Sequence, residues 1–202
     1  MFSVASSPFV TPQPRSPGAL QEDFLQPGRL VEVAGGGKAT FCFRHCLRAM
    51  ERGLTAAWIT PDRGFAPLVA LESLGTLPRL LTVHVPDGKG VLRAADLLLS
   101  CAGAVGVAVL EVPAGTKPSD AQLLRLQRLA ERSRTALLIA VERPAQSPAL
   151  GVVVSLRVAL RREVADGRLL LQLNATRHKA GACGPLGKVQ DEPNRLRLDR
   201  TV

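Results

Sequence analysis

The 202-residue sequence predicts an α/β fold: a mainly parallel sheet flanked by helices and finished by a C-terminal antiparallel hairpin. Three observations predict it. From residue 28 onward, short β-branched apolar runs alternate with helical patterns, as in sheets covered on both faces. A glycine turn, Gly35-Gly36-Gly37, joins the first run to the first helical pattern. Near the C-terminal end, two runs flank Ala165-Asp166-Gly167, and Asp-Gly is a strong hairpin signal.

Taken in order, residues 29–34 (RLVEVA) read as a strand and 39–52 as a helix. A strand over 55–60 follows Gly53, then a helix over 65–74 and a strand over 80–85. A helix over 90–101 precedes a nearly continuous apolar strand over 105–111. Residues 119–134 form an amphipathic helix with Leu123, Leu126, Leu129 and Ala130 on one face, started by Pro118, Ser119 and Asp120. A fifth strand spans 136–141, and the hairpin strands span 151–162 and 168–175.

A hydrophobic content of 46% excludes a mainly disordered chain. No apolar run approaches the ~20 residues needed to cross a bilayer. The N-terminus has neither the basic start nor the apolar block of a secretory signal, so a cytoplasmic location is expected. In that compartment Cys42, Cys46, Cys101 and Cys183 read as reduced residues and not as a disulfide framework. The net charge of +9 favours nucleic acid or an acidic protein surface as partner.

Organisation follows composition. Residues 1–27, punctuated by Pro8, Pro12, Pro14, Pro17 and Pro27, read as a flexible tail. Residues 28–180 form the core, and 181–202 read as a C-terminal tail that can bind a partner. Phe2 and Phe9 in the first tail suit docking on a neighbouring copy, hence self-association.

The turn at Gly35, Gly36, Gly37 and Lys38 lies where backbone amides, a helix N-terminus and a lysine can cradle an anion. The full phosphate-binding pattern is G-x-x-x-x-G-K-[ST]. Here the loop is short, and Ala39 stands where a hydroxyl should ligate Mg²⁺. Asp62, after the second strand, reads as a turn residue in Thr60-Pro61-Asp62-Arg63-Gly64 more than as a remnant of a water-activating acid. Glu111 ends the apolar strand where an acid would complete the site beside the glycine turn and Lys38. These are vestigial nucleotide-site residues, with no catalytic residue, cofactor or metal expected.

The segments 28–33, 57–62 (AWITPD), 107–111 (VAVLE), 155–162 and 171–179 (LQLNATRHK), in this order, resemble the RecA core over about residues 28–180. A short, motif-poor version of that P-loop-type core is most similar to the ImuA family. The resemblance implies an accessory role in SOS-induced translesion DNA synthesis. It also implies contacts to ImuB, a polymerase homologue, to an error-prone polymerase and to RecA, with the C-terminal region contributing. Recombinases carry DNA-binding loops after the positions of Glu111 and Val141; here those segments are short and lack aromatics. The expectation is a non-catalytic adaptor. The alternatives are a weak DNA-stimulated ATPase and a SulA-like cell-division regulator, which would bind FtsZ and filament cells.

Arg157, Arg161, Arg162, Arg177 and Lys179 cluster around the hairpin as candidate contacts to nucleic acid or an acidic partner. Arg125, Arg128 and Arg132 form a second basic stripe at helical spacing. No aromatic platform for stacking single-stranded DNA is visible. Cys42, His45 and Cys46 share a helical face but lack a close fourth ligand, so no zinc site is expected.

Overall fold

The structure, a computed structural model, describes residues 26–62, 79–101, 103, 105–165, 167–179 and 183–190. The N-terminal tail with Phe2 and Phe9, the helix expected over 65–74, Asp166 and the last twelve residues lie outside them.

The elements run β1 (Leu30–Gly35), α1 (Lys38–Glu51), β2 (Ala56–Thr60), β3 (Leu80–His84), α2 (Gly88–Ser100), β4 (Val107–Val112), α3 (Asp120–Ser133), β5 (Ala136–Val141), β6 (Leu156–Ala165), β7 (Arg168–His178) and β8 (Gly184–Gln190). They build one sheet in the order β3-β2-β4-β5-β1-β6-β7-β8. Neighbours from β3 to β6 are parallel, and β6-β7-β8 are antiparallel.

The central strands are buried on both faces, which is why they read as unbroken apolar runs. On one face α1 packs over Val31, Val33, Trp58, Val109 and Leu138. On the other, α2 and α3 cover Leu30, Ile59, Leu110, Leu137 and Ile139. The two helices on this face are capped as their sequences dictate. The Asp87 carboxylate accepts from the Gly90 amide at 2.7 Å. At α3, Ser119 and Gln122 form a reciprocal capping box. Among the described residues no helix is long and apolar enough to cross a membrane.

On α1 the buried face comprises Phe41, Cys42, His45, Cys46, Leu47 and Ala49, the three-and-four spacing of an amphipathic helix. Burial pushes the His45 imidazole down to about 3, with Arg48 and Arg44 adding to the effect. An unfolded histidine titrates near 6.5, so on acidification the unfolded chain takes up this proton first. The contribution is complete above about pH 6.5 and is lost progressively toward pH 3. Urea unfolding across that window should show a falling stability that His45→Leu flattens. An unchanged slope would assign the effect to other groups.

Two elements differ from the sequence pattern. β6 begins at Leu156 rather than at Gly151, because residues 142–155 form a strap over the α2/α3 face. The carbonyls of Gly151 and Val152 accept from Arg177 at 3.1 and 2.9 Å, and that of Val153 from Lys179 at 3.3 Å. Those side-chain bonds replace a ladder. Second, residues 184–190 add an eighth strand where a tail was expected, pairing Val189 with Leu171 and Gly187 with Leu173. Leu186 and Val189 pack on the α1-side core and hold it there.

Candidate functional site

The turn from β1 to α1 contains only Gly36 and Gly37, since β1 ends at Gly35 and α1 starts at Lys38. Gly35 and Gly37 have φ of +99° and +87°, which side-chain-bearing residues rarely adopt. Both also meet the neighbouring strands closely. A Cβ at Gly35 would sit 2.1 Å from the Leu160 carbonyl oxygen, and one at Gly37 would sit 2.2 Å from Leu171 Cδ2. The glycines therefore let the turn press against β6 and β7. Gly36 is exposed, and a Cβ added there would lie 3.8 Å from the Arg162 side chain, an ordinary contact.

Lys38 is half-buried, and Ala39 beside it is exposed and carries no hydroxyl. Glu111 accepts a short hydrogen bond from the buried Thr60 hydroxyl, whose oxygen also accepts from the Asp62 amide at 2.9 Å. His84 Nδ1 lies 3.2 Å from the Asp62 carbonyl. The ends of β2, β3 and β4 thus gather Thr60, Asp62, His84 and Glu111. Burial pushes the Cys42 thiol well up; Cys46 and Glu111 add to this and Lys38 opposes it. Glu111 and Lys38 therefore act on the same part of α1. Sequence reasoning found Glu111 and Asp62 but missed Thr60, whose signal was a hydroxyl at the end of an otherwise apolar strand.

The basic candidates separate into two groups. Arg157 is corrected: it is buried, in register with Glu32 on β1, and pairs with that carboxylate at 3.4 Å. Its guanidinium also donates to the carbonyls of Ser147 and Pro144 in the strap. Burial raises the Glu32 carboxyl, while the Leu150 amide, which donates to it at 2.7 Å, and Arg157 pull it back down. Arg177 and Lys179 bind strap carbonyls, as described above. Arg161 and Arg162 are exposed on the outer half of β6.

On the helical stripe Arg125 is held by Asp96 at 2.5 Å, and Arg128 and Arg132 are exposed. The bond from Arg125 draws the Asp96 carboxyl down. A cleft of about 630 Å³ between α2, α3 and the loop after β4 is lined by Lys89, Arg93, Lys117 and Arg125 above Leu92 and Leu126. Cys42, His45 and Cys46 are core residues. Among the described residues no group of three or more His, Cys, Asp or Glu side chains could hold a metal.

No family model and no curated protein matches the chain. Solved structures do. The RadB recombinase superposes with a TM-score of 0.66 at 18% identity, covering 89% of this chain and 96% of its own. The flagellar accessory protein FlaH from Methanocaldococcus jannaschii superposes with a TM-score of 0.57 at 12% identity, covering 84% of this chain and 93% of its own. The mostly parallel sheet, its flanking helices and the antiparallel β6-β7-β8 edge are thus those of a RecA-like fold.

Proposed function

We propose that the chain is a RecA-fold adaptor without ATP turnover, acting in SOS-induced translesion synthesis. In this reading it links an ImuB-like polymerase homologue to an error-prone polymerase, with RecA as a further contact. The observation that carries the non-catalytic part is the two-residue turn between β1 and α1. A triphosphate needs a longer loop whose amides encircle it and a hydroxyl that places Mg²⁺. Here the glycine freedom serves close packing on Leu160 and Leu171, and Ala39 supplies no oxygen. The residues present do not fit a bound nucleotide–metal complex. The partners rest on the ordered sequence resemblance across residues 28–180.

Calorimetry with ATP and Mg²⁺, with and without single-stranded DNA, tests the first part. No heat of binding is expected at millimolar ATP, and Lys38→Ala should leave capture of the ImuB-like partner and damage-induced mutagenesis intact. Micromolar ATP binding abolished by Lys38→Ala would overturn the adaptor reading in favour of a DNA-stimulated ATPase.

A further inference from the structure

The cleft between α2, α3 and the loop after β4 lies on the sheet face opposite α1. One wall is the α2 stripe Lys89, Arg93 and Asp96, and the other is Gln122 and Arg125 of α3. Spacings of three and four residues put each set on one helix face. The buried Leu92 and Leu126 form the floor. Both ends are closed. At one, Thr116 packs on Gly88 so tightly that a Cβ there would lie 2.0 Å from the Thr116 hydroxyl oxygen. At the other, Arg125 donates to the Asp96 carboxylate at 2.5 and 3.0 Å and bridges the two helices. Between Lys89 and Asp96 the helix rises about 10 Å, the length of about three extended residues.

The charges of this cleft do not cancel. Its two carboxylates are engaged, Asp96 by Arg125 and Asp87 by the Gly90 amide. Lys89, Arg93 and Lys117 are exposed and have no hydrogen bond or ion pair among the described residues. Of the lining residues, only Gly88, Leu92 and Leu126 are buried. A small-molecule site orients its ligand through polar groups fixed inside an apolar pocket. No polar side chain of this cleft is buried in that way. An apolar floor ringed by exposed cations is complementary to a protein segment that sets one apolar anchor between carboxylates.

We infer that the α2/α3 cleft is a docking site for an acidic linear segment of a partner protein. One leucine-sized side chain of that segment rests on Leu92 and Leu126. Carboxylates on either side of it meet Lys89, Arg93 and Lys117. Nucleic acid fits less well, because the two leucines give a base no aromatic surface on which to stack. The inference does not rest on the adaptor reading: the ATP titration reads the β1–α1 turn, and a peptide titration reads the opposite face of the sheet.

The probe is a labelled heptapeptide of glutamates around a central leucine, titrated into the full chain by fluorescence anisotropy. Saturable binding that weakens as salt rises is expected. Arg93→Glu and Lys117→Glu, both at exposed positions, should each weaken it about tenfold. Arg128→Glu, at an exposed α3 position that does not line the cleft, should change affinity less than about threefold at physiological salt. Serine in place of the central leucine should cost about tenfold. A peptide with glutamine for every glutamate should not bind. The inference is overturned by absence of heptapeptide binding, by indifference to the central leucine, or by equal losses from Arg93→Glu and Arg128→Glu. Displacement of the peptide by an equal concentration of oligothymidylate or pyrophosphate would also overturn it, assigning the cleft to nucleic acid or to a small anion.

Discussion

Replacing Arg157 with alanine should destabilise the protein by about 3–5 kcal/mol, because it leaves the Glu32 carboxylate buried without its counter-charge. The same change strips donors from the carbonyls of Ser147 and Pro144, so the strap loses its anchor together with the ion pair. Urea unfolding at neutral pH reads the loss. The pH dependence identifies its source. A carboxyl whose folded pKa is raised binds its proton more readily in the native state, so its penalty shrinks on acidification and grows as pH rises. Arg157→Ala should therefore lie closer to the parent protein at pH 5 than at pH 7. Pairing it with Glu32→Gln should recover part of the loss at pH 7. A loss below about 1 kcal/mol would show that the pair is solvated and that the strap is held by other bonds.

The glycine turn gives the second large effect. Gly35→Ala places a Cβ against the Leu160 carbonyl, which is backbone and can yield only if β6 moves, at a φ of +99°. Strain at such a φ and overpacking each cost about 1–3 kcal/mol, so a loss of about 3 kcal/mol or failure to fold is expected. Gly37→Ala meets the flexible end of Leu171 and should cost less. Gly36→Ala, with ordinary contacts and no positive φ, should be neutral or stabilising by up to about 1 kcal/mol. Thermal unfolding of the three variants checks the order. A phosphate-gripping turn would show its sensitivity in ligand binding. A packing turn shows it in stability without any ligand. Equal tolerance at Gly35 and Gly36 would contradict the packing account.

What the sequence made legible follows from what fixes each element. β5 at Ala136–Val141 and α3 at Asp120–Ser133 announce themselves through local chemistry, an apolar run and a capping box beside a leucine stripe. The hairpin turn announced itself through its Asp-Gly pair. β8 did not, because Gly184, Pro185, Gly187 and Lys188 break any alternation and its place is set by the exposed flank of β7. The strap hid for a related reason. Its valines at 152–154 look like strand, and only the distant Arg157, Arg177 and Lys179 make it something else. Arg157 read as a contact for an outside partner because a sequence shows charge without direction. Arg161 and Arg162, one turn of the alternation further, do face outward.

The position of β1 at the middle of the sheet has a bearing on how the chain can be made. Val31 pairs with Leu138 on one side and with Leu156 on the other, both more than one hundred residues further along. During synthesis the first strand leaves the ribosome long before either neighbour exists, and its apolar side chains wait uncovered. Closing such distant pairings is slow, and stretches of this kind are prone to stick to other nascent chains. Ribosome-stalled chains ending before residue 136 should therefore bind holdase chaperones, and release should coincide with emergence of β5 and β6.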